Sequence, residues 1–400
     1  MWQQLGAFDP VAKEELISRI EGLKALMAER GLDFAVIMQN VDLYYFTGTT
    51  QKGLLVIALD QEPLLFIEKS VTRAQSDSPL EVIPIKNNRD VRQILDEKKI
   101  LHGKGGMELD VVPVKVFEQL KNILGFSDFV DVSPLIRELR MIKSPFELEQ
   151  MRKAEAIFAQ VYERGKEVIR EGATEVEIDA ELVAAGRRLG YQGRLRMRGF
   201  NMEMLNMCVF AGVTSGLPSA GDVPISGAGV TPAVPQGSSF LPVKRGIPVI
   251  VDYGSGYNGY ITDESRVYVV GELQEIFRRP YEVAREIMED AASFGKVGAN
   301  TVEIFQRAYS LVKKAGLEAN FMGHGEGQVS FIGHSLGLEI NEMPVITAKH
   351  SWILKEGMTI AYEPKFTFPG VGAIGIEVTF VVRQDRLEPI GNVPVDIVFL

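Results

Sequence analysis

The segment of residues 247–266, IPVIVDYGSGYNGYITDESR, constrains the fold of this chain more than any other stretch. It opens with an apolar, β-branched run that is typical of a buried strand, and this run ends on Asp252. The glycine-rich residues 254–259 follow and predict a turn, after which an extended stretch delivers Asp263. Two carboxylates on paired strands can face one point, which suits a divalent cation. A hairpin with solvent-facing acids is the alternative.

The composition limits the classes of partner. The chain has 400 residues, 46% of them hydrophobic, which is enough for two domains with sizeable cores. Its net charge of -10 argues against nucleic acid or an anionic membrane as the main partner. The single cysteine, Cys208, excludes an internal disulfide and a thiolate metal cluster. Without a secretory signal or a long apolar run, a cytoplasmic location is expected by elimination.

Two domains are predicted, with a boundary at Ser144-Pro145. Residues 1–143 alternate short apolar runs with helical stretches, which predicts an α/β domain with a mixed sheet. Residues 144–400 start with a long helical pattern and end in two extended segments. The Gly-, Pro- and Ser-rich stretch 215–238 is either a linker or a loop near a site. The strand-like segments on both sides of it favour a loop.

Three further candidate metal ligands, His334, Glu363 and Glu377, follow on apolar or extended segments. Together with Asp252 and Asp263 they provide four carboxylates and one imidazole, which match a pair of divalent ions such as Mn, Co, Fe or Zn. Two ions balance this negative charge better than one, and such a pair generates hydroxide from water at neutral pH. A buried structural histidine is the alternative for His334.

Four motifs in a fixed order resemble those of the "pita-bread" metallohydrolases, which include aminopeptidase P, prolidase, creatinase and methionine aminopeptidase. The motifs are Asp252-Tyr253-Gly254 with Gly259-Tyr260 and Asp263-Glu264-Ser265-Arg266, then Gly333-His334-Ser335-Leu336-Gly337-Leu338-Glu339, then Glu363-Pro364, and finally Ile376-Glu377. Residues 19–49, 140–145 and 151–154 resemble the creatinase-type N-terminal domain and its junction with the catalytic domain. The resemblance therefore covers most of the chain.

This resemblance implies an α/β (α+β) fold, with a creatinase-like N-terminal α/β domain and a pita-bread catalytic domain containing a curved antiparallel sheet. It implies that Asp263 and Glu377 bridge two metal ions, one completed by Asp252 and the other by His334 and Glu363. Glu363 is also the expected catalytic proton shuttle beside a metal-bridging hydroxide. The expected activity is that of an Xaa-Pro exopeptidase, of aminopeptidase P or prolidase type, acting on a small peptide. A homodimer is the expected assembly.

The substrate-binding positions depart from the family pattern. The loop 227–236 contains no histidine, although the peptidases usually place one there. Asn341 stands where a second family histidine falls, and Asn cannot become cationic. Gly375 stands where proline-specific members often have arginine. The metal ligands are therefore retained, while the groups that hold substrate are altered.

Other residues are candidates for the missing substrate contacts. His324 lies in a glycine-rich loop and is a candidate catalytic residue, with a solvent-facing loop histidine as the alternative. Arg194, Arg196 and Arg198 are candidates for holding a substrate carboxylate, with an exposed basic strand or loop as the alternative. Two other functions stay open: a C–N hydrolase or lyase that acts on a non-peptide small molecule, and a non-catalytic binding protein.

Overall fold

The computed structural model describes residues 8–100, 103–125, 129–219 and 221–400, which form two compact units. The first unit contains the described residues up to Arg140 together with Arg198–Met202, a segment outside the predicted range 1–143. The second unit contains Met141–Met197 and Glu203–Leu400.

A six-stranded mixed sheet with helices forms the first unit. Strands β1 and β2 and strands β2 and β3 pair antiparallel, whereas the other neighbours in the order β4-β3-β2-β1-β5-β6 are parallel. Helix α1 packs against α2 and α6, and α4 packs against α5. The elements are α1 (Lys13–Glu29), β1 (Phe34–Ile37), α2 (Asn40–Thr47), β2 (Gly53–Ala58), β3 (Leu64–Ile67), α3 (Val71–Asp77), β4 (Val82–Pro84), α4 (Asn88–Glu97), β5 (Gly105–Met107), α5 (Val114–Leu124), β6 (Phe129–Asp131) and α6 (Ser133–Arg140).

Arg198 connects the segment Arg198–Met202 to the rest of the first unit through two ion pairs. Its Nη1 donates to Asp42 Oδ2 at 2.8 Å, and its Nε donates to Asp110 Oδ2 at 2.7 Å. Asp42 also accepts a 2.7 Å hydrogen bond from Arg140 Nη1. Because Arg140, Arg198 and Asp42 are buried, each of these three charges needs an opposite charge beside it. Arg198 is thus engaged with two carboxylates of the first unit, and the alternative of an exposed basic residue is wrong for this position.

Mainly antiparallel sheets and four long helices form the described part of the second unit, and the exception is the last strand, Val398–Phe399, which pairs parallel with Tyr260–Val269. One sheet has the order β17-β9-β8-β7, another has the order β11-β10-β12-β15-β16, and β13 pairs with β14. The elements are α7 (Pro145–Val168), α8 (Glu175–Arg188), β7 (Met207–Ala211), β8 (Pro248–Tyr257), β9 (Tyr260–Val269), α9 (Glu275–Phe294), α10 (Thr301–Ala315), β10 (Phe331–Ser335), β11 (Glu342–Thr347), β12 (Thr359–Tyr362), β13 (Lys365–Phe368), β14 (Gly372–Gly375), β15 (Val378–Val382), β16 (Leu387–Pro389) and β17 (Val398–Phe399), with short 3-10 helices at Gly212–Gly216, Glu318–Asn320 and Gly325–Gly327.

The hairpin of β8 and β9 lies between two apolar layers. On one face, Val251 and its alternate neighbours pack against α7 and α8, through residues such as Phe158. On the other face, Ile250 packs in a core with α9, α10 and the C-terminal strands. Asp252 shares the face of Ile250, because alternate residues of a strand point the same way. The hairpin therefore directs Asp252 toward the C-terminal strands.

The turn of this hairpin lies later than the sequence predicted. Strand β8 continues through Gly254 to Tyr257, and the turn residues are Asn258 and Gly259, with φ of 51° and 87°. Two-residue hairpin turns of type I′ need positive φ at both positions, which Asn-Gly supplies. Gly254 instead allows a close approach, since a Cβ there would lie 2.7 Å from Leu195 Cδ1.

The two extended segments predicted at the C-terminus are each interrupted. The first breaks at Glu363-Pro364, between β12 and β13, and the second breaks at Ile376-Glu377, between β14 and β15. Strand β12 pairs with β15, whereas β13 pairs with β14, so the chain changes sheet at each break. Pro364 has no N–H to donate, which favours an interruption at this point. Each break carries a buried glutamate, Glu363 at the first and Glu377 at the second.

In its described residues, the glycine-rich stretch 215–238 is part of a loop, as predicted, and not a linker. It lies between β7 and β8, which pair antiparallel within the second unit. Within the described part of the chain, no helix is both long enough and apolar enough to cross a membrane.

Candidate metal centre

The structure brings together the five side chains that the sequence predicted as ligands. His334 Nε2 lies 3.9 Å from Asp263 Oδ2 and 3.8 Å from Glu363 Oε1. Asp263, His334 and Glu377 each offer a ligand atom within 4.8 Å of the other two. Asp252 joins the cluster through Lys365, whose Nζ also contacts Glu363 and Glu377.

Backbone pairing fixes Asp263 and Glu377 against each other. Ser265 and Glu377 form an antiparallel bridge, and the Ser265 hydroxyl donates to Glu377 Oε2 at 3.0 Å. The Asp263 backbone N donates to Thr379 Oγ1 at 2.9 Å, and this hydroxyl donates back to the Asp263 carbonyl, also at 2.9 Å. The two carboxylates therefore come from adjacent backbones in fixed register.

Arg266 anchors the backbone around Glu377. Its side chain is 2% exposed, and Nη2 lies 2.9 Å from Glu264 Oε2, which makes a buried ion pair. Nη1 donates to the Glu377 carbonyl at 2.6 Å, and Nε donates to the Pro394 carbonyl at 2.8 Å. Arg266 thus holds the backbone of one candidate ligand without touching its carboxylate.

His334 presents Nε2 to the acids. The residue lies on β10, which pairs with β12 through His334 and Ala361. Its Nδ1 lies 3.2 Å from the Ser335 carbonyl, which can only accept a hydrogen bond. The proton therefore belongs on Nδ1, and Nε2 keeps a free lone pair of the kind that binds metals.

Lys365 is the residue of this site that the sequence reasoning missed. Its Nζ donates to Asp252 Oδ2 at 3.1 Å, to Glu363 Oε2 at 3.0 Å and to Glu377 Oε2 at 2.6 Å. Burial by itself lowers the pKa of Lys365, but the three carboxylates raise it well above its ordinary value. A signal was present, since Lys365 follows Glu363 by two positions and side chains so spaced share one face of a strand.

The carboxylates carry more negative charge than the lysine compensates. Burial, together with the charges of Glu377 and Asp252, raises the pKa of Asp263 well above its usual value. Burial also raises the pKa of Asp252, although Lys365 opposes the shift. A divalent cation would relieve this repulsion. Imidazole nitrogen with carboxylate oxygens is the donor set that Zn, Mn, Fe and Co accept, so these residues fit such an ion.

The candidate substrate-binding residues differ in exposure and in hydrogen-bond partners. His324 is half-buried, and its Nε2 donates to the Gly216 carbonyl at 2.9 Å. Arg194 is exposed and Arg196 is half-buried, with the Arg196 carbonyl accepting from Ile340 N at 2.9 Å. Asn341 is half-buried, between β10 and β11.

The remaining departure from the family pattern, Gly375, lies beside the site. It pairs with Lys365 across β13 and β14. A Cβ at position 375 would lie 2.6 Å from Lys365 Cγ. Gly375 therefore leaves the space through which the lysine side chain reaches the carboxylates.

Carboxylates and one imidazole, presented at one point by antiparallel strands, define a class of protein that holds divalent cations for hydrolytic chemistry. The family model for metallopeptidase family M24 matches residues 149–384, and the model for the creatinase/prolidase N-terminal domain matches residues 19–142. The chain belongs to metallopeptidase family M24. Membership implies divalent metal ions and a peptidase on a creatinase-like, pita-bread fold, as the motifs predicted.

Several known proteins are similar over nearly the whole chain. The Xaa-Pro dipeptidase of Pyrococcus furiosus is 28% identical over 92% of this chain and 95% of its own length. The solved prolidase from Pyrococcus furiosus has a TM-score of 0.76 at 26% identity, covering 93% of this chain and 99% of that chain. The solved Xaa-Pro dipeptidase from Bacillus anthracis has a TM-score of 0.82 at 23% identity, covering 96% and 100%, and supports the fold.

Proposed function

We propose that this chain is a divalent-metal-dependent peptidase that cleaves the bond between a residue and a following proline, as a dipeptidase or an aminopeptidase. The observation that carries the proposal is the convergence of Asp263, His334 and Glu377 within 4.8 Å, with Glu363 beside them. Support also comes from the relatives, since those named Xaa-Pro dipeptidase are similar over most of both chains.

The proposed metal ligands are the carboxylate oxygens and His334 Nε2. A bound divalent ion supplies Lewis acidity, which polarises the scissile carbonyl and makes water more acidic. The resemblance implies two such ions, Mn, Co, Fe or Zn, with Asp252 and Glu363 completing the ligand set.

Glu363 is the proposed proton shuttle. Its Oε1 lies 3.8 Å from His334 Nε2, and its Oε2 accepts a hydrogen bond from Lys365 Nζ. The carboxylate thus reaches the candidate metal position while Lys365 fixes its orientation. In this role Glu363 takes a proton from the attacking water and returns it to the leaving proline nitrogen, as general acid–base catalysis requires.

Substrate contacts are proposed for the residues near the altered positions. His324 is the candidate donor to the substrate carbonyl, which requires its Nε2 to exchange the Gly216 carbonyl for substrate. Arg194 is exposed and is the candidate partner of a substrate carboxylate. Arg194→Ala is expected to raise KM more than it lowers kcat. His324→Ala is expected to lower kcat, because a donor to the reacting carbonyl is worth most in the transition state.

A substrate panel tests the proposed activity. Protein loaded with Mn²⁺, Co²⁺ or Zn²⁺ is assayed on Xaa-Pro dipeptides, on Xaa-Pro-Yaa tripeptides and on matched Xaa-Ala peptides. Glu363→Gln is expected to lower kcat at least ~10²-fold, the typical contribution of a general acid–base group. Glu356→Gln, an exposed glutamate of the same unit, is the control and should keep full activity. Equal turnover in both variants would show that the role of Glu363 is wrong.

The same panel distinguishes the alternative function. Small amides, amidines and sulfonium acids are included because Asn341 and the histidine-free loop 227–236 change the substrate shell. The relatives do not favour this alternative. Turnover confined to these compounds would replace the peptidase proposal with a C–N hydrolase or lyase on the same centre.

Three expectations from the sequence stay predictions. The domain division at 143/144 predicts limited proteolytic cleavage near Ser144, with two protected fragments. The homodimer predicts twice the mass of one chain by light scattering. The cytoplasmic location predicts recovery of the protein with cytoplasmic markers after cell fractionation.

A further inference from the structure

We infer that the ammonium group of Lys365 replaces the second metal ion, so that this chain binds one divalent cation between Asp263, His334 and Glu377. The inference rests on the metal-dependent function proposed above and specifies the make-up of its centre. It replaces the expectation of two ions with one ion and one built-in cation.

The ammonium group of Lys365 lies among three carboxylates of the cluster. Lys365 Nζ lies 3.1 Å from Asp252 Oδ2, 3.0 Å from Glu363 Oε2 and 2.6 Å from Glu377 Oε2. These are charge-assisted hydrogen bonds, and together they use all three donors of an ammonium. A zinc ion held by the same two carboxylates, Asp252 and Glu377, would need their oxygens at about 2.0–2.2 Å. The two cations would therefore compete for one position.

Neighbouring backbone fixes the path of the Lys365 side chain. Lys365 belongs to β13 and pairs with Gly375 of β14. A Cβ at position 375 would lie 2.6 Å from Lys365 Cγ and 2.7 Å from its Cα, so only glycine leaves this path open. The lysine side chain is 3% exposed. Moving it aside for a metal would leave a buried cation without its partners, which is costly.

The side of the cluster that faces His334 remains available to bind one metal ion. His334 Nε2 lies within 4 Å of Asp263 Oδ2 and of Glu363 Oε1, on the side where these oxygens face the imidazole. One divalent ion and one ammonium nearly balance the four carboxylates, including Asp252. Two divalent ions added to the ammonium would exceed the carboxylate charge in a buried site, where like charges repel strongly.

The test counts metal ions. Protein is stripped with chelator, equilibrated with excess Mn²⁺, and analysed by equilibrium dialysis with elemental analysis. The native chain is expected to bind one Mn²⁺, and Lys365→Ala is expected to bind two. Adding Asp252→Asn to Lys365→Ala should return the count to one. Lys355→Ala, at an exposed lysine of the same unit, is the control and should also bind one.

Electron paramagnetic resonance provides a second readout. Native protein with bound Mn²⁺ should give the six-line spectrum of an isolated ion, whereas Lys365→Ala should give the exchange-coupled spectrum of a pair. Two ions in the native chain would overturn this inference and leave the proposed metallopeptidase function standing. No bound ion in the native chain would overturn both. The native count decides the question even where Lys365→Ala does not fold.

Discussion

Replacing Arg266 by methionine tests how the fold holds its candidate ligands. The guanidinium pairs with the buried Glu264 and donates to the backbone carbonyls of Glu377 and Pro394. Methionine keeps much of the apolar volume and removes every one of these donors. Glu264 is left buried without its cation, and the carbonyl of a candidate metal ligand loses its anchor.

The magnitude follows from burial. Removing one partner of a buried ion pair costs about 3–5 kcal/mol of unfolding free energy. The matched substitution Arg307→Met removes an arginine that pairs with Asp290 at the surface, where both side chains are partly exposed. Such a pair contributes about 1 kcal/mol or less. The two variants should therefore differ by at least about 2 kcal/mol, the gap between these two ranges.

Urea unfolding followed by far-UV circular dichroism measures this difference. Metal-free protein is used, so that metal affinity does not contribute to stability. In a separate titration, Arg266→Met should weaken Mn²⁺ binding by about 10- to 100-fold, as loss of groups that orient ligands typically does. A loss of stability equal to that of Arg307→Met, with unchanged Mn²⁺ affinity, would refute the anchoring role.

Three further predictions concern other parts of the chain. Burial raises the pKa of Asp179 to about 6, so ionisation of this carboxyl destabilises the folded state as pH rises. In urea unfolding, Asp179→Asn should therefore increase the free energy of unfolding by up to about 3 kcal/mol above pH 6 and by little near pH 4. An equal increase at both pH values would contradict this prediction. Asp42→Asn should lower the free energy of unfolding by about 3 kcal/mol in the same assay, because Arg140 and Arg198 lose their buried anionic partner. A decrease under about 1 kcal/mol would contradict the contribution of these ion pairs. Chelator should lower the midpoint of thermal unfolding by several degrees relative to Mn²⁺-loaded protein, since ligand at 100 Kd adds about 2.7 kcal/mol, and an unchanged midpoint would argue against a bound ion.

Patterns that depend on neighbouring residues were predictable from the sequence. The long helix predicted at the start of residues 144–400 is Pro145–Val168, and it begins with a capping box between Ser144 and Glu147. Its apolar periodicity and its proline at the first turn are local signals. The candidate ligands were predictable for a related reason: each lies in a short motif, and the order of the motifs is characteristic.

Features that depend on contacts distant in sequence were not predictable in the same way. The pairing of Arg198 with Asp42 joins residues far apart in the chain, and periodicity carries no information on such pairs. The turn at Asn258-Gly259 was predictable from its dipeptide, but the glycines before it obscured the signal. Lys365 was missed because its role depends on the register of β13 with β14, which brings Gly375 beside it.

Anomalous X-ray scattering from crystals grown with Mn²⁺ shows how many ions this centre holds and where they lie. We expect a single manganese peak within coordination distance of His334 Nε2 and of carboxylate oxygens of Asp263 and Glu377, with Lys365 Nζ beside it. Absence of a peak between these side chains, at a Mn²⁺ concentration that supports peptide hydrolysis, would contradict this expectation.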